Sequence, residues 1–353
     1  MGFNNQRQNI GEKYVLQTII NNIGGNVIRK AFTLWLITII NLQAAEVTNS
    51  KHDTVAAISY NIQLSGLDEE GHKWDEGRKK AVISLLERHE ILAIQEISYE
   101  QLNDLKVELP DYHFVSMNSI TGESLTHPAV NTIEGMAIGY NQHLFEQVSL
   151  QTFWLSNTPE IPSKSWGNWE TSFAKLLQRV VLNHLPTSKE IVIYNSHFCH
   201  EEDPHNVINP RLEAAKLEIS FLQKDIAEKR ILISAGDRNT HLPRDRQVIE
   251  LYDRVDGLKD VDNYRVGLKT TFIGYEKHPR MNPIINGKFE KSMNLDKVYI
   301  AGDVELLHAV SLSGAYDETY QLKEDQLSIE DITKGRPFAS DHTAISVSLG
   351  IKS

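Results

Sequence analysis

One cysteine in 353 residues, Cys199, leaves no partner for an intrachain disulfide. A lone thiol suits any compartment in which it is buried or shielded, so it does not fix the redox setting. Positive charge is also short: 36 Lys and Arg stand against 47 Asp and Glu, a formal net charge of -11. That balance argues against broad electrostatic affinity for nucleic acid or an anionic membrane. It leaves room for an enzyme acting on nucleic acid, because a basic rim or bound cations offset the field locally. Internal repeats and low-complexity tracts are absent. Apolar content of 41% and charged content of 24% are those of an ordinary globular chain.

Long apolar runs are absent but for "AFTLWLITIINLQAA", residues 31–45, preceded by Arg29 and Lys30. The run has the length of a signal-peptide core and is short for a membrane span. Residues 1–45 therefore read as a signal peptide, with an uncleaved N-terminal anchor as the alternative. Residues 46–53 read as a linker and 54–353 as a single domain.

Within that domain, "TVAAISYNI", "ILAIQEI", "LQRVVLNHL", "EIVIYNSHF", "RILISAGD", "NLDKVYIAG" and "HTAISVSLG" read as strands. "EGMAIGYN" and "QVSLQTFWL" read as a strand pair, and "PTSK" as the turn of another. "EGRKKAVISLLERHE" has apolar residues at helical spacing. "NPRLEAAKLEISFLQKDIAE" is a long amphipathic helix with Asn209 as cap and Pro210 in its first turn. Strands outnumber helices and several form hairpin-like pairs. That pattern predicts an α/β fold of two packed mixed sheets flanked by helices, a four-layered sandwich.

One pattern recurs along these strands. Each apolar run meets a polar group at its rim: Asn61, Glu96, His197, Asp237 with Asn239, Asp296, and Asp341 with His342. A carboxylate where a core strand ends is costly unless something pairs with it. Carboxylates of this kind suit Mg²⁺ or Mn²⁺. Imidazoles and amides suit phosphoryl oxygens. Taken singly, each is commonplace. A Glu at a strand end is usually a surface residue, "GDRN" reads as a turn, and a lone His is usually a satisfied structural one.

In this order, "YNI", "QE", "NSH", "GDRN", "LDKVYI" and "SDH" resemble the endonuclease/exonuclease/phosphatase superfamily. That group includes pancreatic-type deoxyribonuclease, abasic-site endonucleases, neutral sphingomyelinases, inositol-polyphosphate 5-phosphatases and nocturnin-like deadenylases. The likeness runs over about residues 54–349. "FWLSNTPEIPSKSWG", "NPRLEAAKLEI" and "TTFIGY" resemble a bacterial branch, as does the opening with Trp74 and Arg78. Two departures stand out. Arg238 occupies a place usually apolar, and Cys199 replaces an acidic residue in "HFCH".

The resemblance implies Glu96 as principal metal ligand, with Asp341 and Asn61 in support. It implies that Asp237 orients or deprotonates the attacking water and Asn239 hydrogen-bonds it. Asp296 would pair with a cationic His342, and His197 would contact the phosphate. Asn61, Trp74, Arg78, Arg179 and His200 are candidate substrate contacts. Trp154, Trp166 and Trp169 are candidates to stack on a base or sugar, and packing is the competing reading for them as for Trp74, Arg78 and Arg179. Arg211 and His200 could alternatively support His197.

The expected activity is Mg²⁺- or Mn²⁺-dependent hydrolysis of phosphate esters, foremost as a 3'-5' exonuclease-like phosphodiesterase on single-stranded nucleic acid. The alternatives are a phosphatase or phosphodiesterase on lipid, inositol or sugar phosphates, and an inactive binding protein on the same scaffold. The intact polar set argues against the last. A monomer, secreted or periplasmic and without stable membrane association once the signal is removed, completes the expectation.

Overall fold

The computed structural model describes residues 53–67, 72–125, 134–166, 173–203, 205, 207–267, 269–274, 293–316 and 338–352. The signal or anchor segment, the linker up to 52 and Trp169 lie outside them.

Among the described residues, twelve strands form two six-stranded sheets. The first contains β1 (Thr54–Asn61), β2 (Ile91–Ile97), β3 (Tyr112–Asn118), β4 (Gly135–Asn141), β11 (Val304–Leu312) and β12 (Ala344–Ile351), in the order β11-β12-β1-β2-β4-β3. The second contains β5 (Phe145–Trp154), β6 (Leu176–His184), β7 (Lys189–His197), β8 (Ile231–Asp237), β9 (Lys259–Asp260) and β10 (Asp296–Ala301), in the order β5-β6-β7-β8-β10-β9. Both sheets are mixed: β1–β2 and β7–β8 are parallel and the other pairings antiparallel.

Alternate residues of each sheet face the other and close a dry core. Val55, Ala57, Ile91, Ala93 and Ile138 come from the first, and Val180, Ile193, Ile233 and Val298 from the second. Each such Val or Ile contributes roughly 1.5–3 kcal/mol by leaving water. Helices α1 (Arg78–Leu86) and α2 (Tyr99–Glu108) cover the outer face of the first sheet through Ala81, Val82, Leu85, Leu102 and Leu105. Helices α3 (Pro210–Ala227) and α4 (Arg246–Asp253) cover the second through Ala214, Ala215, Leu222 and Val248. The α/β four-layered sandwich is as the sequence predicts.

Local signals explain the helix starts. Ser98 and Gln101 form a reciprocal capping box on α2. The Asn209 side chain accepts from the Arg211 and Leu212 amides at the head of α3.

One pairing differs from the expectation. β4 and β5 are not partners. β4 lies inside the first sheet between β2 and β3, whereas β5 is an edge strand of the second. The reason is burial: β4 is buried along nearly its whole length, while β5 exposes much of its length. The chain changes sheets at residues 142–144. By contrast β6 and β7 form the hairpin the sequence announces.

A polar bridge crosses the apolar floor near the cleft. Gln95 Nε2 of the first sheet donates to Asn195 Oδ1 of the second at 2.7 Å. Asn195 Nδ2 returns bonds to the Ile94 carbonyl at 2.9 Å and the Ala137 carbonyl at 3.1 Å.

Candidate active site

Register gathers the polar strand ends. His197 lies opposite Asp237 across β7 and β8, and Asp237 opposite Asp296 across β8 and β10, a row of three at one edge of the second sheet. Asn61 lies opposite Gln95 in the first sheet. Glu96 follows in a β-bulge. The pairing with β4 skips from Gln95 to Ile97, and Glu96 takes φ 52°. A left-handed backbone is uncommon for a glutamate, and a bulge re-aims a side chain. Here it turns the carboxylate toward the row on the other sheet.

Asp237 is the hub. Its Oδ1 accepts from the Asn239 amide at 2.9 Å, and its Oδ2 accepts from Asn61 Nδ2 at 3.0 Å. His197 Nε2 and His342 Nε2 stand 3.6 and 3.8 Å from that same Oδ2. Asn61 Nδ2 also donates to Glu96 Oε1 at 3.0 Å. On the far side, His342 Nδ1 meets Asp296 Oδ2 at 2.7 Å, and Phe272 packs edge-on against the imidazole. Asn239, at φ 48°, donates from Nδ2 to the Phe198 carbonyl at 3.1 Å and lies 3.2 Å from His197 Nε2. Asp341 adjoins the group through Ser340, whose hydroxyl donates to the Asn61 carbonyl at 2.7 Å.

Burial and neighbouring charges divide these groups. Burial pushes the Glu96, Asp296 and Asp341 carboxyls above the usual range, against the pull of His197 on Glu96 and of His342 on the two aspartates. Burial acts the same way on Asp237, but there the charges of His342 and His197 outweigh it and hold the carboxyl low. Burial disfavours charge on His342, yet Asp296 raises its imidazole well above the ordinary range.

Two participants escaped the sequence reading. Glu134, just before β4, contacts His197 Nδ1 through Oε1 at 2.5 Å. Lys175, just before β6, is buried and donates to both Glu134 oxygens at 2.9 and 2.7 Å. Its Nζ lies 3.3 Å from His197 Nε2. Burial opposes charge on both, but the His197 and Lys175 charges hold the Glu134 carboxyl well below its ordinary range, and Glu134 holds Lys175 above its own. The signal was present. Both are polar residues where an apolar strand begins, as Asp296 is.

Several proposed contacts prove to have other work. Arg179 points to the outer, helix-covered face of the second sheet. It pairs with Asp225 at 2.9 and 2.6 Å and with Tyr194 at 3.1 Å, so it is a scaffold group rather than a phosphate contact. Trp74 is buried in the layer under α1, with its indole N–H on Asp104 at 2.7 Å. Arg78 is fully buried and donates to the carbonyls of Ala339, Ile62 and Gln63. It ties the segment after Asn61 to the one before Asp341 and does not line the cleft. Trp154 and Trp166 are buried too, the former donating to the Ser119 carbonyl at 2.8 Å.

Asn61 turns its amide nitrogen to two carboxylates, and its oxygen accepts from the Gln63 amide at 3.0 Å. The amide orientation follows from that network, since the flipped form would set oxygen against both carboxylates. His200 is exposed at the cleft edge.

The donor set suits a divalent cation. Glu96 and Asp237 offer carboxylate oxygens that lie within 4.8 Å of each other and of a His197 ring nitrogen. Burial raises the Glu96 carboxyl, and the nearby Glu134 and Asp341 charges add to it, so a bound dication would favour its ionised form.

The fold is that of the endonuclease/exonuclease/phosphatase superfamily. A solved member from Bacteroides vulgatus superposes with a TM-score of 0.63 at 20% identity, covering 85% of this chain and 99% of its own. A mannosyl-6-phosphatase from Bacteroides thetaiotaomicron gives 0.62 at 20% identity over 84% of this chain and 99% of that one. TDP2 from Caenorhabditis elegans gives 0.55 at 17%, over 84% and 75%. No family model matches the sequence. Among curated proteins, an uncharacterised protein of Acanthamoeba polyphaga mimivirus is 25% identical over 236 residues, 65% of this chain and 80% of that protein.

Proposed function

We propose that the protein hydrolyses phosphate esters with the aid of Mg²⁺ or Mn²⁺. The observation that carries this is the convergence on Asp237 Oδ2 of Asn61, His197 and His342, with Glu96 and Asp296 one bond further out, from strand ends in both sheets.

In this reading Glu96 holds the cation with support from Asp341. The bound ion supplies charge neutralisation for the phosphoryl oxygens. Asp237, held ionised by two imidazoles and aimed by Asn61 and the Asn239 amide, takes a proton from the attacking water. The water oxygen bonds to phosphorus as the ester P–O bond breaks. His342, kept cationic by Asp296, and His197, held by Glu134, donate to the phosphoryl oxygens. Donors aimed at developing charge are each worth roughly 3 kcal/mol in such sites.

For substrate, we place the activity on nucleic acid, as a 3'-5' exonuclease-like phosphodiesterase, on the sequence likeness. A sugar-phosphate monoesterase is the second reading, favoured by the closer superposition on the mannosyl-6-phosphatase than on TDP2. The test is a panel of single-stranded RNA, DNA, sugar phosphates, sphingomyelin and phosphoinositides. Hydrolysis should require Mg²⁺ or Mn²⁺ and stop with EDTA. A folded protein that binds the cation yet turns over nothing in the panel would return the chain to the binding-protein reading.

We extend the reading to export, with cleavage near residue 45 yielding a secreted or periplasmic domain. N-terminal sequencing of exported protein should begin after about residue 45, and a start near Met1 contradicts the proposal.

A further inference from the structure

Two rings stand at the mouth of the cleft on backbone that is firmly pinned. Phe173 is 52% exposed, and its ring centroid lies 5.6 Å from that of His200 with the planes inclined by 30°. Each is a short chain distance from the reacting groups. Lys175, two residues after Phe173, lies 3.3 Å from His197 Nε2, and His200 is three residues beyond His197.

Backbone bonds hold both positions. The Phe173 carbonyl accepts from the Ser165 amide at 3.0 Å. The His200 segment is held by Arg211, which is buried and donates to the carbonyls of Cys199, His200 and Glu201 at 3.0, 3.2 and 2.8 Å. Arg211 is itself paired with Asp245 at 3.1 Å. Pre-positioned rings of this kind bind a flat partner without the cost of ordering a loop.

The tryptophans that the sequence offers for this purpose and the structure describes, Trp154 and Trp166, are buried at 6% and 9% exposure and present no ring to solvent. His200 is also a poor phosphate clamp. The surrounding protein, which strips water from the ring, and the Lys175 and His197 charges push it down to about 4, so at neutral pH it offers a neutral ring.

We propose that Phe173 and His200 form a stacking subsite for a nucleobase carried next to the scissile phosphate. The proposal rests on the phosphoesterase reading for the place of the phosphate and deepens it toward nucleotide substrates. Aromatic faces stack on any base, so the subsite selects for the presence of a base rather than for its identity. A sugar phosphate lacks that partner.

The test compares binding of adenosine 5'-monophosphate and ribose 5-phosphate by calorimetry. It uses the full chain with Mg²⁺ in an Asp237→Asn background that blocks turnover. The nucleotide should bind on the order of ten-fold more tightly, and Phe173→Ala should abolish that preference while leaving ribose 5-phosphate affinity in place. Phe173→Trp should restore the preference and Phe173→Leu should not. Equal binding of the two ligands overturns the subsite, as does an equal loss for both on Phe173→Ala. The native chain is assayed for hydrolysis alongside. A clear base preference without hydrolysis would sink the phosphoesterase reading and leave the stacking subsite standing.

Discussion

Arg238 and Glu218 form an ion pair in the dry interior, one residue behind Asp237. Arg238 Nη2 meets Glu218 Oε1 at 2.7 Å, with the two side chains 1% and 0% exposed. Tyr252 donates to the other Glu218 oxygen at 2.8 Å, and Arg238 Nη1 donates to the Lys297 carbonyl at 2.9 Å, beside Asp296. The arginine that breaks the family pattern thus faces α3 and α4, away from the cleft. Glu218→Ala, which strands a buried guanidinium, should cost about 3–5 kcal/mol in urea unfolding. The double variant Glu218→Leu with Arg238→Met should be markedly less destabilised. A double variant as unstable as the single one would show that packing, not charge pairing, is what this site requires.

Glu96 and Asp237 should separate binding from turnover. Glu96→Gln should weaken Mn²⁺ binding measured by calorimetry, because it removes the charged oxygen that the bulge presents. Asp237→Asn should abolish hydrolysis with much less effect on the ion. If both weaken Mn²⁺ binding alike, Asp237 is itself a ligand, as its place within 4.8 Å of the Glu96 and His197 ligand atoms allows.

His342→Ala should slow hydrolysis on the order of 10²-fold or more if its cation faces the phosphoryl group. Asp296→Asn should act through the same imidazole, so the double variant should be little slower than either single one. Multiplying losses would mean that Asp296 acts apart from His342, despite their 2.7 Å contact.

Arg179→Met checks the reassignment of that residue. It should leave kcat/KM unchanged and reduce stability by about 2 kcal/mol, the scale of lost charged hydrogen bonds, since Asp225 keeps Arg230 and Tyr194 as partners. A selective rise in KM would put Arg179 back in the substrate path.

His89 should give a stability that depends on pH. Its ring is buried between the Leu85 carbonyl at 2.9 Å and the Ser346 hydroxyl at 2.7 Å. Burial pushes it down from 6.5 to about 4. Between those values the unfolded chain binds a proton that the folded chain does not, so stability falls as pH falls through the window. The loss should reach about 3 kcal/mol by pH 4. Unfolding of His89→Gln should show a shallower slope from pH 6.5 to 4, and identical slopes would discard this source.

The sequence carries the strands of the site in plain view because each is a buried apolar run with a polar end, as in "ILAIQEI" and "RILISAGD". It is silent on β3 and β11, whose runs "YHFVSMN" and "VELLHAVSL" mix polar and apolar residues. The partner of β4 was also out of reach, because pairing across sheets is decided by burial on both faces and not by neighbouring sequence. Glu134 and Lys175 went unseen for a different reason. Their charges make sense only once His197 lies between them, and that neighbour arrives from another strand. Arg179 misled because a strand alternates faces: Gln178 points inward toward Asn195, which turns Arg179 outward.

The bond between Gln95 and Asn195 acts as an alignment key. Asn61 and Glu96 ride on one sheet, and His197, Asp237 and Asp296 on the other. Apolar faces by themselves would tolerate sliding, since one methyl replaces another at little cost. Amides in a dry interior would not. Moving one sheet past the other by a single residue step would break the Gln95–Asn195 bond and strand the Asn195 Oδ1 that it satisfies, at a cost of roughly 1–3 kcal/mol. The two half-sites are therefore indexed from within, and the outer helices can drift in sequence without carrying one half away from its mate.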